Sequence, residues 1–149
     1  MIPRVPTAAV LLAIAVSAAI AAEPSLVGVW KLEDAQSGLV GLYIFTPTHY
    51  SMMAATTSRP DIADTSKATA DELMGMFGPM LANTGSYEIG GDLITIHPVA
   101  AKFPVVMKPG GTEVYRFHVE GNSLTLQQVR NARGVAIESG AVRKLIRVE

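Results

Sequence analysis

Cysteine is absent from the 149 residues of this chain. This absence excludes disulfide bonds, thiolate zinc sites, a catalytic cysteine and a lipid-modified N-terminal cysteine. The folded protein must therefore be stabilised by its core alone.

The chain also lacks an excess of positive or negative charge and a cluster of metal-ligating residues. The 12 basic and 13 acidic residues nearly cancel, which gives no electrostatic reason to expect nucleic acid or an anionic membrane surface as partner. The three histidines, His49, His97 and His118, lie far apart without ligand spacing, so no metal site is predicted. No G-x-S-x-G, H-E-x-x-H or G-x-G-x-x-G pattern occurs, and the sequence predicts neither catalytic residues nor a cofactor.

The N-terminus has the pattern of a secretory signal. Arg4 is followed by an uncharged run, 5–22, that ends in small residues, as in a signal peptide. We predict that residues 1–21 are removed by cleavage near Ala21 or Ala22, leaving a periplasmic or secreted protein without a membrane segment. An uncleaved anchor is the alternative, but the alanine-rich run is short and weakly apolar for a spanning helix.

Residues 24–149 are predicted to form one all-β domain. Most segments are short and alternate apolar with polar residues, as in the run from Leu26 to Asp34, which is typical of half-buried strands. About eight to ten such segments indicate an antiparallel sandwich or barrel, and closure into a barrel removes exposed edges.

A single helix is predicted after the polar stretch 57–68. Thr69 and Glu72 have the spacing of a capping box, and apolar residues then recur every three or four positions. Gly75, Gly78 and Pro79 interrupt this pattern, so we expect a short or broken helix.

The ordered motifs of this chain resemble the bacterial lipocalin-like domain family. The resemblance covers nearly all of the chain after the signal and is carried by these segments: Leu26–Leu32 with its G-x-W, Gly41–Pro47, Arg59–Pro60, Gly85–Glu88, His97, Phe103–Pro104 and Gly121–Leu126. The chain departs from the family pattern at His49, where glycine is usual, at Tyr115, where arginine is frequent, and at Ile96, where the family strand often has a second histidine.

The resemblance implies a lipocalin-type barrel with a closed end and a binding cavity. Trp30 would fill the closed end, Gly28 would allow backbone segments to approach, and Arg143 or Arg147 from the last strand would pack on the indole ring. The cavity would hold one small molecule.

Strand parity predicts which side chains face the interior. Tyr87, Ile94, Ile96, Tyr115 and Phe117 point inward, and Arg116 and His118 point to water. Tyr43 and Phe45 join the inward set, and the methionines at 52, 53, 74, 76, 80 and 107 add flexible apolar surface. His97 points outward if the Gly91-Asp92 turn has two residues and inward if it has three. The candidate ligand contacts are Tyr43, Met52, Met76, Phe77, Met80, Tyr87, His97, Tyr115 and Phe117.

These residues support one leading hypothesis and two alternatives. The leading hypothesis is an exported barrel that binds a small, largely apolar molecule, with the helix over one opening and Tyr87, Tyr115, Phe77 and Met80 around a common pocket. The alternatives are a cyclase or isomerase that uses the same cavity, with His97 and Tyr87 as an acid–base pair, and a filled barrel that acts through its outer surface.

Overall fold

Eight antiparallel strands form a closed barrel in the computed structural model, which describes residues 25–34 and 38–149. Each strand pairs with its neighbours in sequence, and the last pairs with the first. The strands are β1 (Gly28–Asp34), β2 (Leu39–Phe45), β3 (His49–Thr56), β4 (Met80–Gly90), β5 (Leu93–Ala101), β6 (Glu113–Glu120), β7 (Ser123–Arg130) and β8 (Val142–Arg147). The all-β antiparallel barrel is thus confirmed, at the lower limit of the predicted strand number. The predicted signal peptide lies outside the described residues.

The two ends of the barrel differ in their connections. Three tight turns, at 46–48, 91–92 and 121–122, lie at one end, where β1 also begins and β8 ends; we call this the Trp30 end. The longer connections 57–79, 102–112 and 131–141 lie at the opposite end, which we call the mouth. Because loops carry most binding surfaces, the mouth is the end at which sites are expected.

Alternate residues of each strand fill the interior below the mouth. Phe45 and Tyr87 meet edge to face, with ring centroids 5.6 Å apart, a preferred geometry for aromatic pairs. Of the residues predicted to face inward, six are buried and Phe117 is partly buried against them: Tyr43, Phe45, Tyr87, Ile94, Ile96 and Tyr115. Arg116 and His118 are exposed, as predicted.

The helix α1 (Ala70–Phe77) ends before the apolar pattern of the sequence does. The predicted capping box is present: the Thr69 N–H donates to the Glu72 carboxylate over 2.8 Å, and the Glu72 N–H donates to the Thr69 hydroxyl over 3.3 Å. Gly78 and Pro79 follow, and Met80 already belongs to β4. Placing Met80 on the helix stripe was therefore wrong, because proline forces the chain out of the helix.

The methionines do not form a common interior surface. Met52 is buried in the barrel, whereas Met53, Met74 and Met107 expose 56%, 69% and 39% of their surface. Two short 3-10 turns, Thr65–Lys67 and Pro104–Met107, complete the connections at the mouth. Among the described residues, no helix has the length and apolarity to cross a membrane.

Candidate functional site at the mouth of the barrel

The Trp30 end is closed. Trp30 is fully buried, and its indole N–H donates to the Leu26 carbonyl over 2.8 Å. Arg147 lies over the indole ring, 4.1 Å from its centroid, and donates to the carbonyls of Val27 and Ser25. The burial of Trp30 under a β8 arginine is confirmed. The arginine on the ring is Arg147. Arg143, the other candidate, faces the interior nearer the mouth.

At the mouth the inward-facing side chains are only half-buried. Register shows which face each side chain occupies: Arg143 pairs with buried Leu126, and Leu81 pairs with buried Ala54. Residues directly opposite in an antiparallel pair share a face of the sheet. The half-buried residues that face the interior here are Leu39, Leu81, Asn83, Glu113, Gln128 and Arg143. Below these residues the interior is occupied by the buried side chains of Tyr43, Met52 and Tyr115.

Glu113 is the centre of a polar network in the mouth. Its carboxylate accepts hydrogen bonds from the Gln128 amide over 2.7 Å and from Asn83 and the Tyr115 hydroxyl over 3.3 Å each. The Tyr50 hydroxyl donates to the Asn83 side-chain carbonyl over 2.8 Å, which extends the network across the barrel. Burial, together with the negative charge of Glu113, raises the pKa of Tyr115 and of Tyr50. Both hydroxyls are therefore protonated donors at neutral pH.

Tyr43 differs from the other tyrosines, because no side chain of the described residues meets its buried hydroxyl in full hydrogen-bond geometry. Burial raises the pKa of Tyr43, and the positive charge of nearby Arg143 opposes that rise. The Arg143 guanidinium therefore lies beside this hydroxyl, and both its charge and its hydrogen-bonding groups oppose the effect of burial. A buried polar group without a partner costs about 1–3 kcal/mol. Unpaired groups of this kind are uncommon, and one that faces an interior is expected to have a role.

His97 lies on the outer surface. The turn at Gly91-Asp92 has two residues, so that Tyr87 pairs with Ile96 and His97 with Ser86, as the apolar pattern favoured. The His97 ring is 3.7 Å from the carboxylate of Glu88, also on the outside. Tyr87 faces the interior, where its hydroxyl donates to the Thr46 carbonyl over 2.6 Å. His97 and Tyr87 are on opposite faces of the sheet and do not form an acid–base pair.

The predicted pocket of four residues is not formed. Tyr87 lies near the Trp30 end of β4, whereas α1 precedes the mouth end of the same strand. Tyr87 lies seven residue steps along the strand from Met80, a distance of roughly 23 Å. Phe77 is 48% exposed, and Met80 pairs with Ala55, on the parity that faces outward. Parity correctly predicted that Tyr87 and Tyr115 face the interior. It does not predict how far along the barrel axis a side chain lies.

The helix borders the mouth without entering it. No residue of α1 is buried, and Met76 is half-buried. The Lys102 ammonium, just after β5, donates to the carbonyls of Gly78 and Met80. This contact ties the end of the helical connection to the neighbouring loop at the edge of the mouth.

Several residues of the mouth were missed in the sequence, although the signal was present. Glu113 shares parity with Tyr115, so extending that inward face by one step would have placed it inside. Charged residues at strand ends are normally assigned to the solvent, and that assumption hid Glu113. Arg143 was expected to pack on the Trp30 ring, and its position at the mouth was not predicted. Asn83 was missed because β4 begins at Met80, before the segment Gly85–Glu88 that carries the resemblance.

The outer surface carries an apolar groove on β2 and β3. It has a volume of about 460 Å³ and lies between Val40, Leu42 and Met53. Leu42 and Met53 are about half-exposed on this face. The Tyr43 hydroxyl lies on the opposite face of β2 and does not reach this groove. Among residues 25–34 and 38–149, no cluster of three potential metal ligands occurs.

The comparison with known families agrees with this architecture. The family model of a lipocalin-like domain matches residues 27–148, from the start of β1 to the end of β8. No curated protein sequence matches the chain. Eight-stranded barrels of this kind have an interior that side chains fill or that holds one small ligand. With its fully buried tryptophan, its meander of eight strands and this match over most of its length, the chain belongs to the lipocalin-like domain family.

Proposed function

We propose that the protein is exported and binds one small, largely apolar molecule in the mouth of its barrel. The observation that carries the proposal is the buried Tyr43 hydroxyl, which no described side chain meets in full hydrogen-bond geometry, beneath a half-buried, inward-facing set of side chains. Binding sites of this type combine apolar walls with a few placed polar groups. Export is supported by the charged, apolar and small-residue pattern of residues 1–22.

The walls of the mouth suit an apolar molecule of limited size. Leu39 and Leu81 are half-buried against the core, and Met52 and Ala54 are buried beside them. Below Tyr43 the interior is filled, with Trp30 and Phe45 almost without exposure. The ligand therefore enters from the loop end and stops at the level of Tyr43. Of the residues first predicted as ligand contacts, Tyr43, Met52 and Tyr115 are at this level.

Two neighbouring residues on opposite faces of β4 offer a matched test. Leu81 faces the mouth, and Met80 is on the outward parity. We expect the parent protein to bind an environment-sensitive apolar dye with roughly micromolar affinity. Leu81→Glu should weaken binding at least tenfold, because its carboxylate would be desolvated by the ligand. Met80→Glu should leave the affinity within about twofold of the parent.

Native mass spectrometry of protein purified from its source would show whether a small molecule is already bound. Equal dye binding by the parent and a folded Leu81→Glu protein would contradict binding in the mouth. A mature protein that still begins at Met1 in the membrane fraction would contradict export.

A further inference from the structure

We propose that the outer face of β2, β3 and β4 is the contact surface of a dimer, and that the partner on it is a second copy of this chain. The inference is independent of the proposed ligand, because it concerns the outside of the barrel and not the mouth. It follows from the apolarity, the area and the relief of this face.

The outer side chains of these strands are apolar, whereas those of the opposite wall are polar. Directly paired residues share a face of the sheet, and the register places Leu42 beside Met53 and Met53 beside Ala82. On the outer face of β6 and β7 the side chains are Arg116, His118, Thr125 and Gln127. An antiparallel sheet with one face in water normally carries polar residues on that face, so the apolar wall indicates that something covers it.

The apolar wall has the area that a homodimer contact needs. Its large residues, which expose between 39% and 56% of their surface, are Val40, Leu42, Ile44 and Met53. Together with the smaller residues between them they present apolar surface on the order of 400–500 Å², as large as the largest patch of a typical monomer. An interface of standard size buries about 800 Å² on each partner, of which about 65% is apolar in homodimers. The patch therefore matches the apolar centre of such an interface.

Met53 stands between two hollows, which makes the face complementary to itself. On one side is the groove of about 460 Å³, which is lined by Val40, Leu42 and Ala55. On the other side is a hollow of about 300 Å³, which is lined by Ser51, Ala82, Thr84 and Ala100. A methionine side chain is flexible and fills irregular gaps. In a two-fold dimer the Met53 of each copy can therefore enter a hollow beside the Met53 of the other.

A second copy suits this face better than a small molecule or a charged partner. The hollows lie on the outside of a closed barrel, whereas a small-molecule site normally surrounds 70–90% of its ligand. A charged partner would need charges to pair with, but the residues around Met53 are aliphatic or small. A two-fold dimer uses the same patch on both subunits, and two sheet faces pack about 10 Å apart with interdigitated side chains. One self-complementary apolar patch is therefore sufficient.

The test makes the same substitution on this face and away from it. Met53→Glu places a carboxylate at the centre of the contact, and Met74→Glu changes an exposed methionine of α1 at the mouth. Sedimentation velocity at concentrations from about 1 to 100 μM gives the dissociation constant of the dimer for each protein. The parent and both variants share residues 1–24, so any association through that segment would be equal in all three.

We expect the parent to dimerise with a Kd of roughly 10 μM or below. Met53→Glu should raise this Kd at least about thirtyfold, because its carboxylate would be desolvated against apolar surface. Met74→Glu should leave the Kd within about twofold of the parent. Near-ultraviolet circular dichroism shows whether each variant keeps the native core. If Met53→Glu does not, Leu42→Ser provides the same comparison, with an expected rise in Kd of several-fold.

The absence of cysteine allows the arrangement of the two copies to be tested as well. Met53→Cys introduces a single thiol into the chain, and a short bifunctional thiol reagent should link the two copies through it, because the two Met53 positions flank the two-fold axis. Met74→Cys, at the mouth, should not be linked under the same conditions.

Three outcomes would overturn the proposal. They are a parent protein that is monomeric at about 100 μM, equal dimerisation of the parent and a folded Met53→Glu protein, and cross-linking through Met74→Cys as efficient as through Met53→Cys. None of them bears on ligand binding in the mouth, which Leu81→Glu tests separately.

Discussion

The guanidinium of Arg147 lies over the ring of Trp30, 4.1 Å from its centroid, and connects the last strand of the barrel with the first. It also donates to the carbonyls of Ser25 and Val27, which precede β1. Trp30 pairs with Arg147 across β1 and β8, so the stacking contact and the closure of the barrel occur at the same place. Arginine suits this position because its planar head can stack on the ring and still donate in its own plane.

Replacing this arginine should weaken the closure of the barrel. We expect Arg147→Met to lower the free energy of unfolding by about 1–2 kcal/mol, from loss of the cation–π contact and of two hydrogen bonds. Lys144→Met, an exposed position on the same strand, should change it by less than about 0.5 kcal/mol. Urea unfolding followed by Trp30 fluorescence measures both. Equal stability of the two variants would show that the stacking contributes nothing measurable.

Gly28 should not tolerate a side chain. It has a φ of 148°, which side chains rarely adopt, and a β-carbon there would overlap the Arg147 guanidinium and the Glu149 carbonyl. We expect Gly28→Ala to cost about 1–3 kcal/mol, as in overpacked cores.

Gly90 is the matched control for this substitution. A β-carbon added at Gly90 would have no atom within 4 Å, and the residue has no positive φ. Gly90→Ala should therefore change the free energy of unfolding by about 0.5 kcal/mol or less, measured by urea unfolding. A Gly28→Ala protein as stable as Gly90→Ala would show that the start of β1 can shift away from β8.

The network around Glu113 should depend on an acceptor at that position more than on its charge. Glu113→Ala leaves three donors without their partner and should cost about 2–3 kcal/mol of stability. Glu113→Gln keeps an acceptor oxygen and should cost about 1 kcal/mol. Glu120→Ala, exposed on the same strand, is the control and should be nearly neutral in urea unfolding.

The Glu113→Gln protein also tests the effect of the Glu113 charge on the pKa of the neighbouring tyrosines. Because the negative charge of Glu113 raises the pKa of Tyr115 and Tyr50, removing it should lower both. The free energy of unfolding should therefore fall less above pH 10 in Glu113→Gln than in the parent, as measured by urea unfolding at several alkaline pH values. An unchanged pH dependence would place Glu113 further from the two rings than the structure does.

Alkaline pH should destabilise the protein through its tyrosines. All four, at 43, 50, 87 and 115, have a pKa raised above the ordinary value of 10.0, and burial is the largest cause in each. Above pH 10 the unfolded chain therefore binds fewer protons than the folded one, and the free energy of unfolding falls as pH rises. The stability is fully present below pH 10, and each tyrosine removes up to about 1.4 kcal/mol per pH unit above it.

Absorbance at 295 nm and circular dichroism measured together test this prediction. Tyrosine ionisation should coincide with unfolding and not precede it. Ionisation of all four tyrosines near pH 10 with native circular dichroism retained would contradict their placement inside the barrel.

The sequence predicted the fold better than the site, for reasons visible in particular residues. Trp30, Tyr87 and Tyr115 alternate with polar neighbours, and a period of two reports the face of a sheet directly. The same period says nothing about height, so Tyr87 and Phe77 were placed in one pocket although they lie at opposite ends of the barrel. Glu113 was missed because a charged residue is assigned to water unless its partners are known, and those partners are distant in sequence; Arg143 was expected against Trp30 because parity does not distinguish it from Arg147.

The helix α1 should be able to unfold locally while the barrel stays folded. None of its residues is buried, and its start is held by the reciprocal bonds between Thr69 and Glu72. We expect Thr69→Ala to remove about 1 kcal/mol of helix stability, the usual cost of an N-cap. Amide hydrogen exchange at Leu73 to Phe77 should accelerate several-fold, while the urea midpoint of the barrel stays unchanged, because local opening is independent of the core.

Thr65→Ala provides the control for this variant. Thr65 begins the preceding 3-10 turn, whose N-cap is the Asp64 side chain, so its loss should leave the exchange of α1 unaffected. A fall in the urea midpoint for Thr69→Ala would show that the helix is part of the cooperative core. If only local exchange changes, α1 is a segment that can move at the edge of the mouth while the barrel stays folded, as the proposed entry of a ligand from that end requires.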